Sequence, residues 1–305
     1  MIGRAFRQLP HLLDQRWRKF YTQRLVLDPV RRRAAARWLA RRRPCSSEPP
    51  GGTLAAATAA DINLHGFAML DPRLGGTQLD DVVEHLTRYP CQDPYRPELG
   101  AFDPTKRAPA PTHVAFYPPE VVVSAPHVFT LANDPLILAV VERVLGCKPT
   151  IGYLAAWWSI KGHDHGEQAE LFHRDVDDWR FLKLFVYLTD VDDEAGPHAY
   201  VSGSQSIPKL KRIRRYSEAE VTQTFGPGAI KLFRGPRGTT FLEDTFGLHR
   251  GLPPRTRNRL VLQVVYSLGA LPYGPRRPFD ARGLAPDAIA SYAREPYVNR
   301  VYLTD

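Results

Sequence analysis

Two residues spaced to share one ligand come first. His173 and Asp175 stand two apart in HRDVDDW, at the head of residues 171–205 (LFHRDVDDWRFLKLFVYLTDVDDEAGPHAYVSGSQ). In an extended chain, residues two apart project to the same side, so an imidazole nitrogen and a carboxylate oxygen can meet at one point. Two histidines and one carboxylate on one face of a metal, with the other positions open, is the ligand set of non-haem Fe(II) oxygenases. The candidate for the second histidine is His249, in the strand-like stretch GTTFLEDTFGLHRGLPPRTRNRLVLQVVYSL. Ten residues on, Arg259 opens RLVLQVVYSL. An arginine directed into a barrel interior is costly unless paired, and a planar guanidinium grips a carboxylate bidentately. Arg257, two residues earlier on the same face, competes for that role but stands at the strand's entrance. His198 follows a Gly-Pro turn and is expected to pack or to line the pocket, not to bind the metal. Trp157, Trp158 and Lys161 border the expected mouth; of these, Trp158 and Lys161 are weaker pocket candidates. His163 and His165, in KGHDHGEQ, read as parts of a loop beside the pocket.

These residues need strands to carry them, and the sequence from 150 onward supplies the pattern. Short apolar, β-branched or aromatic runs at 151–160, 181–188, 199–202, 229–233, 239–244 and 259–267 alternate with turns. Several short strands at even spacing predict an antiparallel barrel or sandwich. Before them, a helix and a strand are expected over 55–70 and a helix over 78–89. Residues 90–118, rich in Pro and Asp, read as a long loop over the site. NDPLILAVVERVLG has a capped helix start at Asn133 or Asp134, with Pro135 in the first turn and Gly146 beyond the end. One more helix is expected over 286–294.

With HRD, GPHAYVSGSQ, DTFGLHRG and R-L-x-x-Q-x-x-Y in place, the chain resembles the phytanoyl-CoA dioxygenase family of Fe(II)/2-oxoglutarate oxygenases over roughly residues 120–268. The resemblance implies a mainly β fold with flanking helices: a double-stranded β-helix, a jelly-roll or cupin-like barrel, with its core at about 150–268. It implies that His173, Asp175 and His249 hold Fe(II) and that 2-oxoglutarate chelates the iron and places its far carboxylate on Arg259. It also implies that O₂ is consumed with release of succinate and CO₂, and that an unactivated C–H bond is hydroxylated. Halogenases similar to this family have Gly or Ala where Asp175 stands, so Asp175 favours hydroxylation, desaturation or cyclisation. The sequence departs from the pattern at Gln205, where a histidine usually follows Gly-Ser; no ligand role is assigned there. Residues 1–50 lie outside the resemblance.

Charge is concentrated in that N-terminal stretch. Residues 1–43 hold twelve arginines and one lysine against Asp14 and Asp28, a balance of +11, so the rest of a chain of net charge +9 sums to −2. Phe6, Leu9, Leu13, Trp17 and Phe20 fall at three-to-four spacing, the stripe of an amphipathic helix; a second basic helix is expected over 30–43, and PCSSEPPGG reads as a linker. The division expected is therefore a basic helical arm with its linker, 1–50, and a dioxygenase domain, 51–305. The arm would lie on an anionic membrane surface or dock an acidic partner, or pack on the body. No nucleic-acid module accompanies the basic run. The Lys209–Arg215 cluster could meet an anionic substrate or be a solvated insert. Three scattered cysteines, no bilayer-spanning run and no secretory signal point to a cytoplasmic protein, peripheral at a membrane if the arm binds one. The expected substrate is a small molecule or lipid-like. Two other readings are a non-catalytic docking protein on the same barrel and a metal-dependent barrel enzyme that does not use 2-oxoglutarate.

Overall fold

The computed structural model of the chain describes residues 14–46 and 52–304. The expected stripe residues Phe6, Leu9 and Leu13, and most of the expected linker, lie outside them. Two basic helices come first, α1 (Gln15–Arg24) and α2 (Pro29–Ala40), with Asp14 and Asp28 as N-caps. Then follow α3 (Gly52–His65), strand β1 (Phe67–Leu70) and α4 (Gly76–Thr87). The stretch expected as a loop contains three short strands, β2 (Cys91–Gln92), β3 (Ala101–Phe102) and β4 (Val114–Phe116). They form because β4 pairs with the long strand that follows, and β2 and β3 continue the edge. Helices α5 (Pro119–Ser124), α6 (Val128–Ala132) and α7 (Pro135–Leu145) come next. The last is capped by the Asp134 carboxylate and ends at Gly146 in the left-handed conformation, φ 78°.

The strands that carry the site are β5 (Thr150–Ser159), β6 (Phe181–Tyr187), β7 (His198–Val201), β8 (Ile230–Phe233), β9 (Thr240–Glu243), β10 (His249–Gly251) and β11 (Arg259–Ser267). Helix α8 (Glu218–Phe225) precedes β8; β12 (Phe279–Asp280), α9 (Pro286–Arg294), α10 (Pro296–Asn299) and β13 (Leu303–Thr304) close the chain. One antiparallel sheet has the order β1-β9-β6-β11-β5-β4-β2-β3, and a second has the order β10-β7-β8.

Side-chain alternation explains how these sheets make a cavity. On β11, Leu260, Leu262 and Val264 join the large core formed with α3, α4 and α7, while Val261 faces the second sheet. Phe185, Tyr187 and Phe241 from the large sheet pack with Tyr200 and Phe233 from the small one. The Tyr187 hydroxyl donates to the Phe233 carbonyl at 2.9 Å and accepts from the His198 N–H at 3.0 Å; Tyr200 donates to the Asp244 carbonyl at 2.9 Å. Buried tyrosines thus tie the sheets together while satisfying their own polar ends. Phe185, Tyr187 and Phe241 of this cluster also wall the cavity between the sheets. No helix among the described residues is long and apolar enough to cross a membrane.

Candidate metal centre

Backbone pairing brings the distant histidines together. His173 and His249 face each other in an antiparallel bridge and exchange both N–H···O bonds at 3.0 Å. Two residues on, the Asp175 N–H donates to the Thr245 carbonyl at 2.9 Å, which holds the ligand segment extended. Phe172 and Arg174 therefore turn to the opposite side. Phe172 enters an apolar cluster, and the Arg174 guanidinium donates to the carbonyls of Phe246, Lys209 and Leu210. His173, Asp175 and His249 each offer one ligand atom, and these atoms all lie within 4.8 Å of one another. His249 Nε2 stands 3.2 Å from Asp175 Oδ2, and His173 Nε2 stands 3.5 Å from Asp175 Oδ1.

The rings are also held in the right sense. His173 Nδ1 is 2.9 Å from the Leu171 carbonyl, and His249 Nδ1 is 3.0 Å from the Gly247 carbonyl. A carbonyl only accepts, so each Nδ1 carries the proton and each Nε2 presents its lone pair to the centre. Burial, then the neighbouring His249 charge, pushes His173 down to about 4. Burial works against a charge on His249 too, but the Asp175 carboxylate outweighs it and raises the His249 pKa above its ordinary value. Asp175 is held well below the carboxylate range against its own burial, chiefly by Lys183 and His249. Lys183 Nζ lies 2.7 Å from Asp175 and 3.0 Å from Asp177.

A cavity of about 250 Å³ opens on the three residues. At one end is Arg259, 5% exposed, paired across the sheet with Ser159 and donating to its Oγ at 3.1 Å. Among the described residues, Arg259 Nε and Nη1 are buried without a hydrogen-bond partner. A buried guanidinium with free donors is an open place for a carboxylate. Gly251 leaves the room: a Cβ there would lie 2.6 Å from Arg259 Nη2.

The other expected residues divide. His198 lines the cavity, with Nε2 2.8 Å from Glu243 Oε2. Burial, with His249 and Arg259 adding to it, lowers the His198 pKa well below its usual value, while burial raises Glu243 to about 8, so both are held neutral. Trp158 does not line the cavity. Its indole N–H donates to the Tyr117 hydroxyl at 2.8 Å within the large core, and Trp157, one residue earlier on the opposite face of β5, is in the wall. Lys161 is exposed and does not line it, its N–H bonded to Asn258. Arg257 is about half-exposed and pairs with Asp192 outside the cavity. His163 stacks on His113 at 3.6 Å and is 2.7 Å from the Thr112 carbonyl, so it fastens its loop to the segment that leads into β4. Gln205 donates to the last carbonyls of α3, the best at 3.2 Å from Asn63. Lys183, Glu243, Ser159 and Gly251 are not singled out in the sequence reading, and of the two tryptophans at the expected mouth Trp157, not the candidate Trp158, lines the cavity. The signal available was a lysine inside FLKLFVYL and a glutamate in TFLED, charged residues within otherwise apolar runs.

No model of a known family matches the sequence, and no curated protein matches it. Solved structures do. The chain is similar to EctD from S. alaskensis, crystallised with 2-oxoglutarate and 5-hydroxyectoine, with a TM-score of 0.51 and 19% identity over 80% of this chain and 88% of that one. HygX from Streptomyces hygroscopicus, with nickel, 2-oxoglutarate and hygromycin B bound, aligns with a TM-score of 0.49 and 19% identity over 73% and 90%. The non-haem α-ketoglutarate-dependent epimerase SnoN from nogalamycin biosynthesis aligns at 0.47 and 16% over 71% and 83%. At these identities the likeness to EctD is one of fold: this chain has the architecture of that 2-oxoglutarate-binding protein.

Proposed function

We propose that the chain is an Fe(II)/2-oxoglutarate-dependent dioxygenase on a double-stranded β-helix, of the phytanoyl-CoA dioxygenase type, that hydroxylates an unactivated C–H bond of a small-molecule or lipid-like substrate. One observation carries the reading. Two imidazoles with their Nδ1 protons committed to backbone carbonyls converge with a carboxylate, in the same cavity as a buried arginine with unused donors. His173, Asp175 and His249 would hold Fe(II), and Arg259 with Ser159 would take the far carboxylate of 2-oxoglutarate. The fold shared with EctD supports the choice of co-substrate.

Bound iron would supply the activation of O₂, paid in electrons by decarboxylation of 2-oxoglutarate to succinate and CO₂. The chain's own part is to position and to shield. Lys183 holds the carboxylate of Asp175, and Phe185, Tyr187 and Phe241 wall the space with apolar surface. A second cavity of about 370 Å³ shares Tyr95, Phe116 and Tyr153 with the first. That adjoining space would take the part of the substrate that does not react.

The test is an anaerobic titration with Fe(II) and 2-oxoglutarate, following the weak visible charge-transfer band of the chelate. The band is expected in the wild type, absent in His173→Ala, and shifted to at least tenfold higher 2-oxoglutarate in Arg259→Ala, as loss of a charged bidentate contact implies. Folded protein that binds iron but gives no band at saturating 2-oxoglutarate would overturn the co-substrate assignment.

A further inference from the structure

The basic arm touches the body at unusual points. An amphipathic helix that merely covers a domain buries an apolar stripe. Here Leu25, Val30 and Trp38 are exposed; α2 buries Pro29, Ala36 and Ala40, and set among these buried positions of the arm are two polar ones, Gln23 and Arg32. Gln23 Nε2 donates to the Val176 carbonyl at 2.5 Å. The Arg32 guanidinium, 2% exposed as a residue, donates to Gln23 Oε1 at 2.6 Å, to the Gln23 and Val26 carbonyls, and to the Asp178 carbonyl. Lys19 meets the fully buried Asp178 carboxylate at 2.5 Å. Arg16 donates to the Pro275 carbonyl at 3.0 Å, and Arg43 to the Leu268 carbonyl at 2.5 Å.

The accepting carbonyls belong to two segments that leave the sheet: 176–178, directly after Asp175, and 268–275, directly after β11. Backbone acceptors in such segments need donors from elsewhere. Both segments reach the cavity from their other side, through Asp177 and Tyr273. Arg32 also lies over the Phe246 ring at 4.6 Å, on the segment that leads to His249. One guanidinium therefore contacts the stretch behind Asp175 and the stretch before His249.

We infer that the N-terminal basic arm is a working part of the metal centre: Gln23 and Arg32 are positioning residues that fix the ligand-bearing segment 173–178 from behind. The inference rests on the metal-centre reading above. It assigns the inward cations of the arm to the body's own carbonyls, and leaves Arg18, Arg31, Arg37, Arg41 and Arg42 facing solvent.

The experiment titrates the full metal-free chain with Co(II), following d–d absorption, alongside thermal unfolding. Wild type is compared with Gln23→Leu, Arg32→Met and the exposed control Arg37→Gln. Supporting residues of metal ligands cost tenfold or more in affinity when removed. Gln23→Leu and Arg32→Met are therefore expected to raise the Co(II) dissociation constant about tenfold and to alter the absorption envelope, with Arg37→Gln like the wild type. A merely structural arm would lower the unfolding midpoint and leave affinity and spectrum unchanged; that result overturns the inference. Should Arg32→Met fail to fold, Gln23→Leu decides alone. A wild type that binds no Co(II) removes the metal-centre reading itself, which is a different failure from variants that match a binding wild type.

Discussion

His249 and His173 are chemically alike and electrostatically opposite. His173 is pushed down to about 4 by burial and so is neutral across working pH. His249, 3.2 Å from Asp175, is raised above its ordinary value despite burial, because the Asp175 carboxylate favours the imidazolium; the proton is therefore kept to higher pH than on an ordinary imidazole, and a metal at Nε2 would have to displace it. The sign follows from competition. Below the raised pKa, protons and metal contend for His249 Nε2. Affinity then strengthens with rising pH, by up to about tenfold per unit for one displaced proton, and levels off above that pKa. Calorimetric titration with Ni(II) over a pH series, each point repeated in buffers of different ionisation heat, is expected to report proton release that approaches one per ion on the acid side and falls away as pH rises. Release of no proton at any pH of the series would mean that Asp175 does not favour the charged form of His249.

At the scale of elements, β5 decides which aromatic side chains reach the cavity. Trp157 and Trp158 are neighbours in sequence and lie on opposite faces of one strand. Trp158 is 9% exposed in the helix-covered core, whereas Trp157 stacks on Phe116 at 5.2 Å in the cavity wall. Trp158→Ala is expected to cost about 3–5 kcal/mol of stability, as for other buried large-to-small changes. Trp157→Ala is expected to cost clearly less and to weaken 2-oxoglutarate or substrate binding. Urea unfolding with the charge-transfer titration separates the two, and equal losses of stability would reverse the assignment. The sequence could not choose between them, because a ten-residue apolar strand buried on both faces shows no alternation. Other elements were open to reading. The run 259–267 is β11, 286–294 is α9, and the HxD spacing with His249 locates the three convergent side chains. What stayed hidden depends on distant partners. Strands β2 and β3, two residues each, exist only as an edge to β4 and β5, and Gln23 and Arg32 look like surface residues until Val176 and Asp178 lie beneath them.

Taken as a whole, the molecule carries, between two sheets, a cavity in which ionisable side chains stand within a largely apolar wall, and that arrangement ties stability to ligand binding. Among the described residues the Arg259 guanidinium is buried with two unpartnered nitrogens and no carboxylate in ion-pair contact, and burial lowers its pKa; the fold bears the cost of a charge taken from water. Replacing such a charge with an apolar side chain of similar reach removes that cost. Arg259→Leu is therefore expected to be at least as stable as the wild type without ligand, by up to about 1–4 kcal/mol. Ligands act in the other direction. A co-substrate that binds only the folded state at a hundred times its dissociation constant adds about 2.7 kcal/mol. With Ni(II) present, wild type should gain several degrees in unfolding midpoint on addition of saturating 2-oxoglutarate, and Arg259→Leu should keep the gain from the metal and lose that from 2-oxoglutarate. Calorimetry of both proteins, each with and without the two ligands, gives the comparison. If Arg259→Leu proved less stable than wild type without ligand, the guanidinium would be paying its way in the fold, and the case for an empty carboxylate seat at that end of the cavity would fall with it.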